Sequence, residues 1–304
     1  MASTKLKIPT IDFCNLELKP NTPQWESTKV QVFEALKEFG CFEAIYDKIP
    51  NEIREAMFDT SKETFEFPTS KLIEYREKPF HIYEDQLPNL PLFGSVVSAD
   101  LLLPNSVETF ANTFWPNGNP NFCNVAKSFY KPIMELDEMV KRMILETLEL
   151  ENYIDEFLDS NISVLRFIKY KANEPGLRAH TDGNCISIIK QHQVGLQVLH
   201  KNGEWIECNA SPNSYVVLVA DVMMALSNGR LSSAHHKIEV TGNNNRFSIQ
   251  VFSTVKPDYI VKVPKELVNE EYPLLFKPFK MLDFYNYTKS GAKNGHGLKN
   301  FCGL

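Results

Sequence analysis

Hydrophobic residues follow two different rhythms along this 304-residue chain, and the rhythm changes near residue 160. Before that point, apolar positions recur three and four residues apart. Val32, Phe33, Leu36 and Phe39 form one stripe; Val125, Phe129, Ile133, Leu136, Val140 and Met143 form a longer one. Such spacing places side chains on one face of an amphipathic helix. Thr22-Pro23 supplies an N-cap and a first-turn proline for the first helix, which the pattern ends near Gly40. A second helix is predicted over 51–67, stopping before Pro68. A long helix is predicted over 122–150, with a kink at Pro132. Residues 8–13 and 41–46 read as short strands.

After Asn161 the pattern turns to short, β-rich runs divided by turn residues: 162–170, 186–189, 195–199, 215–220, 232–240 and 246–254, with Asn202-Gly203 as a hairpin signal. Many short strands at this spacing predict a barrel or jelly roll. The stretch 76–120 is rich in proline, asparagine and aromatics and shows no clear period, so it reads as a long loop forming a lid or pocket wall. From about Lys280 the tail reads as helix again. The expected architecture is therefore mainly β with flanking helices (α+β). One catalytic unit is expected, made of a mainly helical part over 1–160, a strand-rich core over 161–262 and a helical tail over 263–304.

Composition narrows the class. Hydrophobic content of 43% and charged content of 23% suit a globular protein, and a net charge of -6 gives no electrostatic reason to expect nucleic acid or an anionic membrane as partner. Six scattered cysteines without a C-x-x-C pair point to reduced thiols. The first residues carry neither an apolar signal core nor an arginine-rich transit pattern, and no apolar run approaches a membrane span. A cytoplasmic monomer acting on a small molecule is the expectation.

The strand-rich half holds the candidate chemistry. In His180-Thr181-Asp182 the histidine and the carboxylate are two apart, so they share one side only on an extended segment. A third metal ligand must come from elsewhere, and His192, His200, His235 and His236 are available. In 232–240, Ala234, His236, Ile238 and Val240 alternate with polar residues and form the inward set. His236 then faces the interior and His235 faces away, while His192 and His200 sit beside turn signals at the surface. Two imidazoles and a carboxylate with open positions are the ligand set of a non-haem Fe(II) oxygenase. Arg246 and Ser248 form an inward pair by the same parity, with Phe247, Ile249 and Val251 packing outward against helices. A buried arginine needs an anion, and no acidic residue is an obvious partner; a bound small carboxylate would supply it.

With these motifs in place, the chain resembles the plant 2-oxoglutarate/Fe(II)-dependent dioxygenases. The likeness is carried by residues 8–13, 195–206 and 227–231, by His236-Lys237-Ile238 and by Arg246-Phe247-Ser248. Gly40-Cys-Phe-Glu-Ala44, Lys78-Pro-Phe-His81, Gln86-Leu-Pro88, Trp115-Pro-Asn-Gly-Asn-Pro120 and Pro273-Leu-Leu-Phe-Lys-Pro-Phe279 place it nearest the AOP-like branch. That branch includes enzymes modifying glucosinolate side chains and steroidal alkaloids. The resemblance implies a distorted double-stranded β-helix, or jelly-roll, core. It implies Fe(II), 2-oxoglutarate and O2 as requirements, with ascorbate as reductant. His180, Asp182 and His236 match the iron ligands, Arg246 and Ser248 the site for the distal carboxylate of 2-oxoglutarate, and Tyr170 a tyrosine that also contacts this cosubstrate. The segment from Tyr170 to His180 is shorter than usual for the branch, Ala220 stands where glycine is common, and Lys237 replaces a frequent arginine.

The implied reaction hydroxylates, desaturates or demethylates a specialised metabolite such as an alkaloid, steroidal alkaloid or glucosinolate, releasing succinate and CO2. Asp182 occupies the position a halide would need, which argues against halogenation. Phe80, Phe93, Phe114, Met223, Ala225 and Phe284 are candidate substrate contacts. Two rivals are an ascorbate-dependent oxidase of the same fold and a catalytically silent barrel that binds a small molecule.

Overall fold

The computed structural model describes residues 6–15, 18–68, 70, 82–84, 93–98, 100–289 and 297–304, with backbone alone for 82–84 and 93. The strands are β1 (Thr10–Asp12), β2 (Cys41–Ile45), β3 (Ile82–Glu84), β4 (Phe93–Val97), β5 (Asn161–Tyr170), β6 (Ile186–Gln191) and β7 (Leu196–Leu199). They continue with β8 (Trp205–Glu207), β9 (Ser214–Val219), β10 (His236–Ile238), β11 (Arg246–Val255), β12 (Ile260–Val261) and β13 (Phe279–Lys280). The described helices are α1 (Pro23–Phe39), α2 (Asn51–Thr64), α3 (Ser106–Phe114), α4 (Pro120–Thr147), α5 (Ile154–Asp159), α6 (Asp221–Leu226), α7 (Met281–Lys289) and α8 (Gly297–Cys302).

One large sheet runs β1-β2-β9-β6-β11-β5-β4-β3, and a smaller one runs β10-β7-β8. All pairs in these two sheets are antiparallel except β1 with β2. Strands from the first 160 residues therefore extend the same sheet as the strand-rich half.

Period two explains where the core lies. On β11, Phe247, Ile249 and Val251 join the cluster formed with the helices; Arg246, Ser248 and Gln250 point the other way. On β5, Leu165 and Phe167 go to the helices, while Ile168 and Tyr170 belong to the cluster shared with Leu196, Val198 and Ile238 of the small sheet. The large sheet is thus covered by α1, α2 and α4 on one face and by the small sheet on the other, the jelly-roll arrangement expected from the sequence.

Local chemistry sets the helix ends. Thr22 Oγ1 accepts from Trp25 N–H at 3.2 Å, Pro23 opens α1, and Gly40 at φ 70° closes it. Asn119 Oδ1 accepts from Phe122 N–H at 2.9 Å and Pro120 opens α4, which contains Pro132. α4 starts and ends two to three residues before the predicted 122–150, and α2 ends at Thr64 rather than 67.

Three expectations need correction. The stretch 76–120 is not one long loop, because it contains β4 and α3. Val107, Phe110, Ala111 and Phe114 are buried at helical spacing, a period masked by the surrounding prolines and asparagines. The strand expected over 232–240 is regular only over His236–Ile238, with single backbone hydrogen bonds at Ala234, His235 and Glu239 beside it. His200 is buried rather than at the surface: its Nε2 lies 3.2 Å from Glu38 Oε1 and its ring packs 4.9 Å from Phe39.

Candidate metal and cosubstrate site

His180 and His236 are joined first by their backbones. Each donates its N–H to the other's carbonyl at 2.9 Å, an antiparallel bridge that extends the small sheet. This brings the two rings to a centroid distance of 4.2 Å. Asp182 follows two residues on. Its Oδ1 lies 3.6 Å from His180 Nε2 and its Oδ2 lies 3.9 Å from His236 Nε2. One ligand atom from each residue falls within 4.8 Å of the other two, close enough for a shared metal ion.

The remaining ring nitrogens are committed. His180 Nδ1 lies 2.9 Å from Arg178 O and His236 Nδ1 lies 3.0 Å from Ala234 O. A carbonyl only accepts, so the proton sits on Nδ1 and each Nε2 lone pair faces the site. Ser187 Oγ donates to Asp182 Oδ2 at 2.7 Å and is itself bonded to Asn184 Nδ2 at 3.2 Å. Asp221 N–H, at the start of α6, donates to the Asp182 carbonyl at 2.9 Å. The ligand segment is therefore pinned from both sides.

Electrostatics agree with metal binding. Burial pushes His236 down to about 4, helped by the neighbouring His180 and opposed by Asp182, so it is neutral near pH 7. Burial alone would raise the Asp182 carboxyl. His236, His180 and the Ser187 hydroxyl outweigh it and hold Asp182 well below the usual carboxylate range.

Arg246 and Ser248 are fully buried. Arg246 Nη2 donates to Gln191 Oε1 at 2.6 Å, and Nε to Val194 O at 3.3 Å. The guanidinium carbon sits 5.3 Å from the centre of the Tyr170 ring, across the β11–β5 register pair Arg246↔Tyr170. Among the described residues no carboxylate pairs with Arg246, and Arg246 Nη1 and Ser248 Oγ have no hydrogen-bond partner. Burial disfavours the charged guanidinium, shifting it downward. An unpaired buried cation with two orphan donors fits a carboxylate ligand and little else. Gly195 makes room for it: at φ 137°, its missing Cβ would sit 2.3 Å from Glu239 O and 3.0 Å from Arg246 Nε.

Two family models match the chain: the 2OG-Fe(II) oxygenase superfamily over residues 160–255, and the N-terminal region of the non-haem dioxygenase in morphine synthesis over 8–85. The chain is 37% identical over 303 residues to the Arabidopsis thaliana probable 2-oxoglutarate-dependent dioxygenase AOP1.2, covering 95% of this chain and 93% of that one. The chain belongs to the 2-oxoglutarate/Fe(II)-dependent dioxygenases. It is also similar to the Arabidopsis thaliana probable inactive 2-oxoglutarate-dependent dioxygenase AOP2, 27% identical over 100% of this chain and 99% of that one. The fold matches the crystal structure of the rice dioxygenase for auxin oxidation with a TM-score of 0.82 at 24% identity, over 98% of this chain and 100% of that one. As an oxygenase of this family, the chain uses Fe(II) and 2-oxoglutarate, and the donor set and the orphan donors fit both.

The dioxygenase cavity is lined by Arg166, Ile168, Tyr170, Leu177, Ile189 and Gln250, together with Ile238, Phe252 and the His180, Asp182 and His236 side chains. Of the expected substrate contacts, the described ones, Phe114, Met223, Ala225 and Phe284, are not among these. Phe114 packs against Phe67 and Phe110 beneath the helices. Met223 and Ala225 are buried in the helix-side core on α6. Phe284 clusters with Phe279 and Phe301, and its ring lies behind Gly183. Phe80 lies outside the described residues, as does the Phe93 side chain. Extending the parity of Arg246 and Ser248 by two and four positions finds Gln250 and Phe252; stepping back from Tyr170 finds Ile168 and Arg166. Leu177 and Ser187 carried no comparable signal.

Proposed function

We propose that His180, Asp182 and His236 hold the Fe(II) of this dioxygenase, and that Arg246, Ser248 and Tyr170 receive 2-oxoglutarate. The single observation that carries this reading is the buried, unpaired Arg246 near the orphan Ser248 hydroxyl, its guanidinium over Tyr170, which lines one cavity with the three convergent metal-ligating residues. When bound, Fe(II) with 2-oxoglutarate and O2 supplies the oxidation of a substrate C–H bond, with succinate and CO2 as coproducts. The chain's own residues supply position. Nε2 of each histidine is aimed by a carbonyl on the opposite ring nitrogen. Ser187 holds one carboxylate oxygen of Asp182 and so fixes its rotation. Arg246 and Ser248 grip the distal carboxylate, with Gln191 and the Val194 carbonyl locking the guanidinium. Ile168, Leu177, Ile189, Ile238 and Phe252 exclude water from the reacting region.

We infer a small plant specialised metabolite as substrate, oxidised by hydroxylation, desaturation or demethylation. The similarity to AOP-type relatives supports this class. Ascorbate serves as reductant, and the enzyme works as a cytoplasmic monomer. No described helix is long and apolar enough to cross a membrane. The orphan donors speak against a silent barrel, which has no use for an anion seat beside a metal triad. The test is an untargeted plant metabolite extract incubated with enzyme, Fe(II) and 2-oxoglutarate. Compounds gaining one oxygen, or losing two hydrogens or a methyl group, support the reading; an unchanged extract contradicts it.

A further inference from the structure

Gln250 lies on β11 two positions beyond Ser248, on the same face, and lines the cavity at His180, Asp182 and His236. It is only 5% exposed, and its Oε1 accepts no hydrogen bond. Arg166, its register partner on β5, lines the same cavity but does not serve that oxygen: its Nε donates to Ser95 Oγ at 2.7 Å, and its guanidinium lies over the Phe252 ring. Leaving a buried carboxamide oxygen without a donor is costly, and an apolar side chain of the same size would avoid that cost. The metal and cosubstrate seats account for every other orphan polar atom on this strand face, but not for this one.

We propose that Gln250 is a substrate-orienting residue. Its carboxamide oxygen accepts a hydrogen bond from an O–H or N–H group of the substrate, whose apolar body lies against Ile168, Leu177, Ile238 and Phe252. This rests on the oxygenase reading above. The substrate class is then a largely apolar small molecule carrying one donor near the oxidised carbon. Capping that donor with a methyl group abolishes recognition, because a site built around a hydrogen bond discriminates strongly against a ligand that cannot form it.

The experiment compares the full-length Fe(II)-loaded enzyme with Gln250→Leu on three readouts. These are melting temperature, KM for 2-oxoglutarate from succinate formed without added substrate, and consumption of compounds from a plant metabolite extract, untreated and O- or N-methylated. The expected result is an equal or higher melting temperature, KM within about twofold, and consumption of donor-bearing compounds reduced by about tenfold or more. Methylation protects the same compounds from the wild type. A clear fall in melting temperature overturns the proposal, since the carboxamide would then be bonded within the fold. A tenfold rise in KM overturns it by assigning Gln250 to the cosubstrate, and equal consumption overturns it outright. Absence of succinate from the wild type overturns the oxygenase reading itself.

Discussion

An imidazole binds a metal through a lone pair, so the position of its proton decides whether it can serve. Backbone carbonyls fix that proton on Nδ1 in both His180 and His236, and Ser187 fixes Asp182, the third proposed ligand, by donating to its Oδ2. Ser187→Ala should therefore weaken Fe(II) binding by about tenfold, read by anaerobic titration, while Ser187→Thr retains it. Arg246→Gln should raise KM for 2-oxoglutarate by at least about tenfold through loss of the charge-assisted bonds, with Fe(II) affinity unchanged. An equal loss of both would contradict separate seats. Proton linkage gives a further expectation. Folded His236 is pushed down from 6.5 to about 4, so between these values the unfolded chain binds a proton that the folded chain refuses. The metal-free protein then loses stability as pH falls through that window, and the depressed Asp182 acts in the same direction at lower pH. Urea midpoints should fall less steeply between pH 7 and pH 4.5 in His236→Gln than in the wild type. Residue type and parity made this much legible: His236 was separable from His235 because Ala234 and Ile238 flank it on the inward side. Ser187 was not, since nothing in a strand pattern says which hydroxyl will meet a carboxylate across a turn.

Strands and helices carry the site by their alternation. β11 places Phe247, Ile249 and Val251 against the helices and Arg246, Ser248 and Gln250 toward the small sheet, so one sequence period serves both stability and chemistry. α4 is tied to this strand by a buried polar link. Asp137 pairs with Lys141 at 2.7 Å and accepts from Ser253 Oγ at 2.6 Å, while Lys141 Nζ donates to Asn161 at 2.5 Å. Breaking a buried pair leaves an uncompensated charge, so Asp137→Leu should cost about 3–5 kcal/mol in chemical denaturation. Asp137→Leu with Lys141→Met should recover most of it, and no recovery would contradict the pairing. The long helices were readable because their apolar stripes run for many turns between clear caps. α3 was missed because its four buried apolar positions lie in a stretch whose prolines and asparagines suggest loop. β10 was over-extended because alternation marks which way side chains face, not how far a ladder is paired.

At the scale of the molecule, fold and reaction class follow from a pattern spread over distant segments: the proposed metal pair at 180–182, the proposed third ligand at 236 and the proposed anion seat at 246–248. Only the sheet topology brings these together, yet strand parity constrained each one separately, which is why the site could be read before the fold. The substrate side was legible only in part. Parity reaches Ile238 and Phe252, but Leu177 and Ile189 are ordinary core residues by type, and the conspicuous aromatics Phe114 and Phe284 pack elsewhere. All of this depends on the proposed residues forming a working Fe(II) and 2-oxoglutarate centre. Its most direct test is succinate formation from 2-oxoglutarate under O2 by the wild type and by Asp182→Ala, with and without added Fe(II). The wild type should form succinate in an Fe(II)-dependent manner, and Asp182→Ala none above background. Succinate from both at equal rates, or from neither, would contradict it.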